Sequence, residues 1–416
     1  MNVTKELLEN IAGVHGDSFY LLDCADFVSS YESLLREFQR FYQHTNIAYS
    51  YKTNYIPRLC NIVDSLGGYA ETVSEMEVEV ALAVGVDSKK IFFNGPYKKR
   101  LGIERLLLSG GTVNIDSSAD LLIIMNLAEQ NPNSTLNVGV RCNFSIDDGV
   151  VSRFGFDVDN GDFESAVEKI SAFSNINLIG LHCHFASRNL KAWRNAASGM
   201  IKIIEKYFGG ASSSLRYVSL GGGLYGPMSD DLRERLDVSP PSFRDYATAA
   251  AKPFADFYGS ASANDVPELL IEPGTALAAN ALQFAARVIS IKTVAGKAIA
   301  TLAGSTFNVT PGSNKISLPI NVHNMSSFDS IETHEDLDMA GYTCIEGDYL
   351  YRNYCGPLSV GDFVVFESAG SYSVVMKPPF ILPNVPILEI RDDGTCDVVK
   401  RQETFQDVFQ TFSMDF

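Results

Sequence analysis

Short apolar and β-branched runs alternate with longer segments of helical period from about residue 45 to residue 275. The runs predict strands at Asn46–Lys52, Gly68–Val73, Lys90–Asn94, Thr112–Ile115, Leu136–Cys142, Asn177–His184, Arg216–Leu220 and Glu268–Glu272. Between them, Ser74–Val84, Ser117–Glu129, Glu164–Phe173 and Leu190–Phe208 read as helices. Eight strand–helix units in succession predict an α/β fold, a closed parallel (β/α)8 barrel of TIM type over residues 25–275. After Thr275 the rhythm changes. Gln283–Thr293, Ala298–Ala303, Phe363–Glu367, Ser371–Met376 and Pro386–Arg391 read as strands with few helices between them, punctuated by Pro and Gly. They predict a second, mostly β domain, sandwich-like or barrel-like, formed by residues 276–416 with 1–24. Tyr20-Leu21-Leu22 suits either domain. Gly226–Phe243 and Gly312–Asp338 read as polar, loop-rich insertions.

Composition narrows the class. A chain of 416 residues is longer than one core usually organises, and 46% apolar with 20% charged residues is globular. A net charge of −17 speaks against nucleic acid and anionic membrane surfaces as partners. The seven cysteines are scattered and none forms a CxxC pair, so neither a disulfide framework nor a zinc cage is expected, and no metal site is assigned. The first residues contain no apolar signal core, and no apolar run approaches the ~18 residues of a spanning helix. A cytoplasmic protein is expected.

In a barrel of this kind chemistry gathers where the strands end, and unusual polar residues fall at the predicted ends. Lys52 follows the first strand; burial lowers a lysine's pKa, and a neutral amine condenses with an aldehyde. Ser74-Glu75, Asn94-Gly95 and Asp116-Ser117 follow the next three, and Arg141 ends the fifth. His182 and His184 share one face of the sixth. Gly221-Gly222-Gly223 follows the seventh and offers backbone N–H groups to a phosphate. Glu272, before Pro273-Gly274, ends the eighth and suits a protonated pyridine nitrogen. Each has an ordinary alternative: a snorkelling lysine, a core histidine, a plain glycine turn, a glutamate paired with Arg or Lys. In the second domain Thr343-Cys344-Ile345-Glu346-Gly347-Asp348 sets a thiol and two carboxylates in one loop, and Gly370-Ser371-Tyr372 opens a strand-like run.

The order of these parts resembles the fold-type III pyridoxal-phosphate decarboxylases, the group of the diaminopimelate, ornithine and arginine decarboxylases. Tyr49-Ser50-Tyr51-Lys52-Thr53-Asn54 is similar to the family's cofactor-lysine motif, Val73-Ser74-Glu75 to its serine–glutamate turn, and Asn114-Ile115-Asp116-Ser117 to its fourth strand end. Ser152-Arg153-Phe154-Gly155 matches a basic-Phe-Gly element, and Gly180–Ser187 the histidine motif. The resemblance implies pyridoxal 5'-phosphate as cofactor, joined to Lys52. It implies that His184 stacks on the ring, that Glu272 faces its nitrogen, and that Ser187, Gly221, Gly222, Gly223, Gly274 and Tyr372 surround the phosphate. Cys344 falls where the family places a proton donor contributed across a homodimer interface.

Three positions depart from the family. Thr275 stands where an arginine commonly follows Glu-Pro-Gly, Leu318 where an arginine precedes a proline, and Ile345 where an acid follows the cysteine. The departures imply a substrate other than diaminopimelate, ornithine or lysine, since a buried substrate charge without a partner is costly. Glu346, Asp348, His323 and Tyr349 are the residues expected to read a larger, conjugated or carrier-bound amino-acid group. The expected reaction is decarboxylation at Cα. The alternatives are an amino-acid racemase of the same fold and an inactive regulatory homologue.

Overall fold

The computed structural model describes the chain except residues 2, 211–214, 260, 262–265, 310–315, 326–331, 392 and 415–416. It divides into two compact units. One comprises Met1–Ser29, Pro227–Ser239 and Leu277–Phe416; the other Ser30–Gly226 and Pro240–Ala276.

The first strand of the chain, β1 (Ser18–Leu22), belongs to the β-rich unit. The next nine build the other: β2 (Thr45–Ser50), β3 (Tyr69–Thr72), β4 (Ile91–Phe93), β5 (Thr112–Ile115), β6 (Leu136–Asn143), the two-residue β7 (Phe156–Asp157), β8 (Ile176–His182), β9 (Tyr217–Ser219) and β10 (Glu268–Ile271). Each pairs in parallel with its neighbour, β10 returns to β2, and β5–β6 completes the ring of eight; β7 only extends the tip of β6. The expected (β/α)8 barrel is therefore present. Its strands are buried along most of their length because helices cover the outer face and side chains fill the inside. Several strand-end polar residues do local work. Ser74 accepts from the Glu77 N–H and Ser117 from the Asp120 N–H, each as the N-cap of the helix that follows.

The second unit holds β11 (Leu282–Val294), β12 (Lys297–Leu302), β13 (Ile320–His323), β14 (Thr333–Ala340), β15 (Tyr349–Pro357), β16 (Phe363–Phe366), β17 (Ile387–Ile390) and β18 (Cys396–Lys400). β1 lies between β11, antiparallel, and β17, parallel, which settles the place of Tyr20-Leu21-Leu22. Phe19, Leu21, Ala285, Phe363, Val365 and Leu388 form a buried cluster of this unit.

Three expectations are corrected. Ser371–Met376 is not a strand: Tyr372 has φ +65° and its carbonyl accepts from the Met376 N–H at 2.9 Å, a single helical turn. A Cβ on Gly370 would sit 1.7 Å from the Ala278 carbonyl oxygen, so the chain passes too close to extend there. The Gly312–Asp338 insertion contains β13 and most of β14, whose short, polar runs conceal the alternation; residues 312–315 and 326–331 of it lie outside the described set. Gly226–Phe243 likewise carries a helix, Asp230–Leu236, capped by Ser229. Among the described residues no helix is long and apolar enough to cross a membrane.

Candidate active site

Parallel strands point alternate side chains into a barrel, and at the carboxyl end of this one the inward set is polar. Glu272 lies just beyond β10 and is only 3% exposed. Its carboxylate accepts from Asn94 Nδ2 at 3.0 Å, Ser219 Oγ at 2.7 Å and His182 Nε2 at 3.1 Å. Its own backbone N–H donates to the Gly221 carbonyl at 2.9 Å. Burial, the largest single influence, opposes ionisation. His182 and Lys52 outweigh it and hold Glu272 well below the usual carboxylate range. His182 itself is pushed below 6.5 by burial. Its Nδ1 is buried without a partner, the state of a neutral ring that donates from Nε2. Glu272 is thus an anion held chiefly by neutral donors, complementary to a cation.

Lys52 follows β2 in a turn in which the Thr53 N–H donates to the Ser50 carbonyl at 3.1 Å. The expected apolar setting is corrected. Lys52 Nζ lies 2.5 Å from Glu71 Oε2 and 3.1 Å from Ser50 Oγ, and Ser50 Oγ donates to the same carboxylate oxygen at 2.5 Å. Glu71, on β3, is 1% exposed. Asn94 Nδ2 donates to Glu71 Oε1 at 3.2 Å as well as to Glu272. Asn94 Oδ1 accepts from Asn114 Nδ2 at 2.6 Å, and Asn114 Oδ1 from the Tyr217 hydroxyl at 2.6 Å. One polar network therefore links the lysine to the β10 glutamate.

His184 is half-buried just beyond β8. Its Nδ1 accepts from the Gly222 N–H at 3.0 Å, so in the neutral ring Nε2 carries the hydrogen. The Gly221 N–H donates to Ser219 Oγ at 3.2 Å. Gly221 (φ +71°) and Gly223 (φ +97°) need left-handed backbone, and a Cβ on Gly222 would lie 2.2 Å from the Glu272 carbonyl oxygen. Gly274 faces Thr53 as closely, at 2.0 Å from Oγ1. Ser187 sits across from the glycine turn, its carbonyl oxygen 3.1 Å from the place of a Gly223 Cβ. Arg141 pairs with Asp116 at 3.0 Å and donates to the His184 carbonyl at 3.4 Å.

This set fits pyridoxal phosphate. It presents an amine beyond β2, an ionised carboxylate beyond β10, an imidazole beyond β8, and a glycine turn beyond β9 in which no side chain fits. The barrel unit brings together Lys52, His184, Ser187, Gly221, Gly222, Gly223, Glu272 and Gly274.

The remaining candidates lie in the β-rich unit. Cys344 is an exposed free thiol, and Glu346 is exposed beside it. Tyr372 is 38% exposed. Asp348 is not available as a reader of substrate. It is 3% exposed and accepts from Ser305 Oγ, the Thr306 N–H, Thr343 Oγ1 and the Thr343 N–H at 3.1, 2.7, 2.6 and 3.3 Å, so it ties down the loop that carries Cys344. His323 does not join that loop. It pairs with Phe363 at the end of β13, and β16, β11 and β12 lie between β13 and β14 in the pairing order.

Sequence reading overlooked Glu71. The signal was present: Tyr69-Ala70-Glu71-Thr72 places a carboxylate on the inward face of a β-rich run, where only a paired one is tolerated.

Residues 28–279 match the family model described as pyridoxal-dependent decarboxylase, pyridoxal binding domain. The diaminopimelate decarboxylase of Methanocaldococcus jannaschii is 24% identical over 423 residues, covering 96% of this chain and 91% of that one. That of Bacillus subtilis is 25% identical over 416 residues, covering 96% and 92%. Among solved structures, the M. jannaschii diaminopimelate decarboxylase superposes with a TM-score of 0.83 at 22% identity over 98% of this chain and 94% of that one. The Paramecium bursaria Chlorella virus arginine decarboxylase gives 0.73 at 21% identity over 92% and 100%. The match spans well over half of the chain and contains the lysine, the histidines, the glycine turn and Glu272: this chain belongs to the pyridoxal-phosphate-dependent decarboxylases of fold-type III.

Proposed function

We propose that the chain decarboxylates the α-carbon of an amino acid or amino-acid-bearing conjugate other than diaminopimelate or ornithine. The observation that supports decarboxylation best is the ionised Glu272, held by Asn94, Ser219 and His182. Bound pyridoxal phosphate supplies a sink for the electron pair left on Cα when the bond to the carboxylate breaks and carbon dioxide departs. Glu272 favours a proton on the ring nitrogen and so strengthens that sink; family racemases place an arginine there instead. Lys52, with Glu71 as its countercharge, would be the amine that holds the cofactor. His184 supports the ring face. The Cys344 thiol of a second protomer protonates Cα and is reprotonated from solvent, which requires a homodimer. The net change is an amino acid to an amine plus carbon dioxide.

The substrate reading rests on Thr275, half-buried, on Leu318 before Pro319, and on Ile345, which is 43% exposed. None can pair with the charged ends of a diamino acid. The relatives named diaminopimelate decarboxylase are 24–28% identical. The test is carbon dioxide release from a panel of free, acylated and carrier-linked amino acids, with Lys52→Ala as blank. Rapid turnover of diaminopimelate would refute the substrate reading. Exchange of the Cα hydrogen for deuterium without carbon dioxide would replace decarboxylase by racemase.

A further inference from the structure

We propose that Arg188 supplies the positive charge that holds the cofactor's phosphate. The inference rests on the cofactor reading above and concerns the rim formed by the loops after β8 and β9.

A phosphate dianion is poorly served by the glycine turn alone. Two of its three N–H groups are committed within the protein, Gly221 to Ser219 Oγ and Gly222 to His184 Nδ1. Position 275 offers a hydroxyl, not a charge. Three other cations at this end of the barrel are matched: Lys52 by Glu71, Arg141 by Asp116, Lys98 by Asp120.

Arg188 differs. It follows Ser187 directly, and the two loops are fastened together around it. The Ser187 carbonyl carbon, bonded to Arg188 N, lies 3.7 Å from the place of a Gly223 Cβ. The Tyr246 hydroxyl donates to the Arg188 carbonyl at 2.7 Å and accepts from the Tyr225 N–H at 3.4 Å. Trp193 Nε1 donates to the Gly223 carbonyl at 3.3 Å. The Arg188 guanidinium lies over the Tyr225 ring, 4.7 Å from its centroid. A guanidinium over an aromatic ring makes no ionic hydrogen bond to it, so its N–H donors stay available to an acceptor, and their planar fork suits a phosphate.

The experiment is equilibrium titration of the cofactor-free protein with pyridoxal phosphate and, separately, with pyridoxal, which lacks the phosphate. Wild type is compared with Arg188→Ala and with Arg188→Met, which keeps an aliphatic stem over Tyr225. Both variants should bind pyridoxal phosphate roughly tenfold or more weakly and pyridoxal as wild type does, since an ionic hydrogen bond of this kind corresponds to at least about that factor. Added salt should weaken binding of the phosphate ester to wild type more than to either variant. Unchanged affinity for the phosphate ester would overturn the proposal. So would an equal loss for both aldehydes, which would make Arg188 a packing residue. If wild type bound neither aldehyde, the cofactor reading itself would fail.

Discussion

His182 donates from Nε2 to the Glu272 carboxylate at 3.1 Å while its own Nδ1 is buried without a partner. The pair ties the site to the acid stability of the barrel. Burial holds folded His182 below 6.5, and the donors around Glu272 hold it well below 4.5. For both groups the unfolded chain binds more protons between the folded and unfolded values, so stability rises with pH through that window. The His182 contribution is lost as pH falls below about 6.5, and the Glu272 contribution further into acid. In a Glu77→Gln background, which removes the opposing contribution of that carboxylate over the same range, urea midpoints should therefore drop between pH 7.5 and pH 5.5. His182→Gln, which keeps a donor and cannot titrate, should flatten that drop; an unaltered slope would place the acid sensitivity elsewhere.

Glu77 carries the opposite sign. It is 5% exposed, and its Oε2 accepts from the Val73 N–H at 2.7 Å. Burial pushes its pKa up to about 7, with the Glu71 charge adding to the rise. The folded form thus holds a proton that the unfolded chain releases near 4.5, and this contribution is lost as pH rises through about 7. Glu77→Gln keeps the acceptor and removes the charge. It should raise stability at pH 8 by on the order of 2 kcal/mol and change little at pH 5. Thermal unfolding at the two pH values measures the difference.

Sequence pattern made the barrel legible because its strands are buried on both faces and its helices carry one apolar stripe. Predicted and observed strands agree to within two residues at each end; Thr112–Ile115 coincides fully. The β-rich unit was harder. β13 has four residues and none is buried, and β14 opens on mostly exposed positions, so Thr-His-Glu-Asp at its start reads as loop. Ser371–Met376 has the composition of a strand, yet the close approach of Gly370 to Ala278 turns the chain. In the site, the residues with unusual chemistry stood out singly: a lysine, a glycine triplet, a glutamate before Pro-Gly. Partners did not. Glu71 against Lys52, and Asn94 between two carboxylates, depend on how adjacent strands align, which is a property of the closed ring. The same holds for Asp348: a carboxylate four residues after a thiol looks available until Thr343 and Ser305 are seen to occupy it.

The glycine turn permits a steric test. A Cβ on Gly222 would meet the Glu272 carbonyl oxygen at 2.2 Å, and that atom is backbone of a strand end, so no rotamer change relieves the clash. Gly222→Ala should lower stability by roughly 1–3 kcal/mol, in the range of overpacked cores. It should also displace His184 by disturbing the N–H that its Nδ1 accepts. Urea unfolding gives the first quantity. The second appears as weaker binding of pyridoxal phosphate to the cofactor-free protein.

Asp348 governs the loop that presents Cys344. Asp348→Ala removes the acceptor of the part-buried Thr306 and Thr343 N–H groups and of the Ser305 and Thr343 hydroxyls, so the loop loses the ties that hold it. Peptides covering Thr343–Asp348 should exchange their amide hydrogens about tenfold faster or more, with barrel peptides unaltered. Asp348→Asn keeps one acceptor oxygen and should fall between. Wild-type exchange in Asp348→Ala would deny the carboxylate this role.

Lys98 and Asp120 form an ion pair at 2.6 Å with side-chain exposures of 0% and 5%, and Asp120 also accepts from the Asp116 N–H at 3.1 Å. Asp116 in turn pairs with Arg141, which donates to the His184 carbonyl. Burial presses Lys98 toward its neutral form, and the Asp120 charge opposes it. Removing one partner leaves a desolvated charge, so Asp120→Asn should destabilise the protein by about 3–5 kcal/mol. The double variant Lys98→Met with Asp120→Leu leaves no such charge and should lose less than either single variant. A double-mutant cycle in urea measures the coupling. Additive losses would mean that the two groups stabilise the barrel independently and that no strain reaches Arg141 through Asp116. A strong coupling, with weakened cofactor binding in Asp120→Asn alone, would show that this buried pair helps set the position of His184.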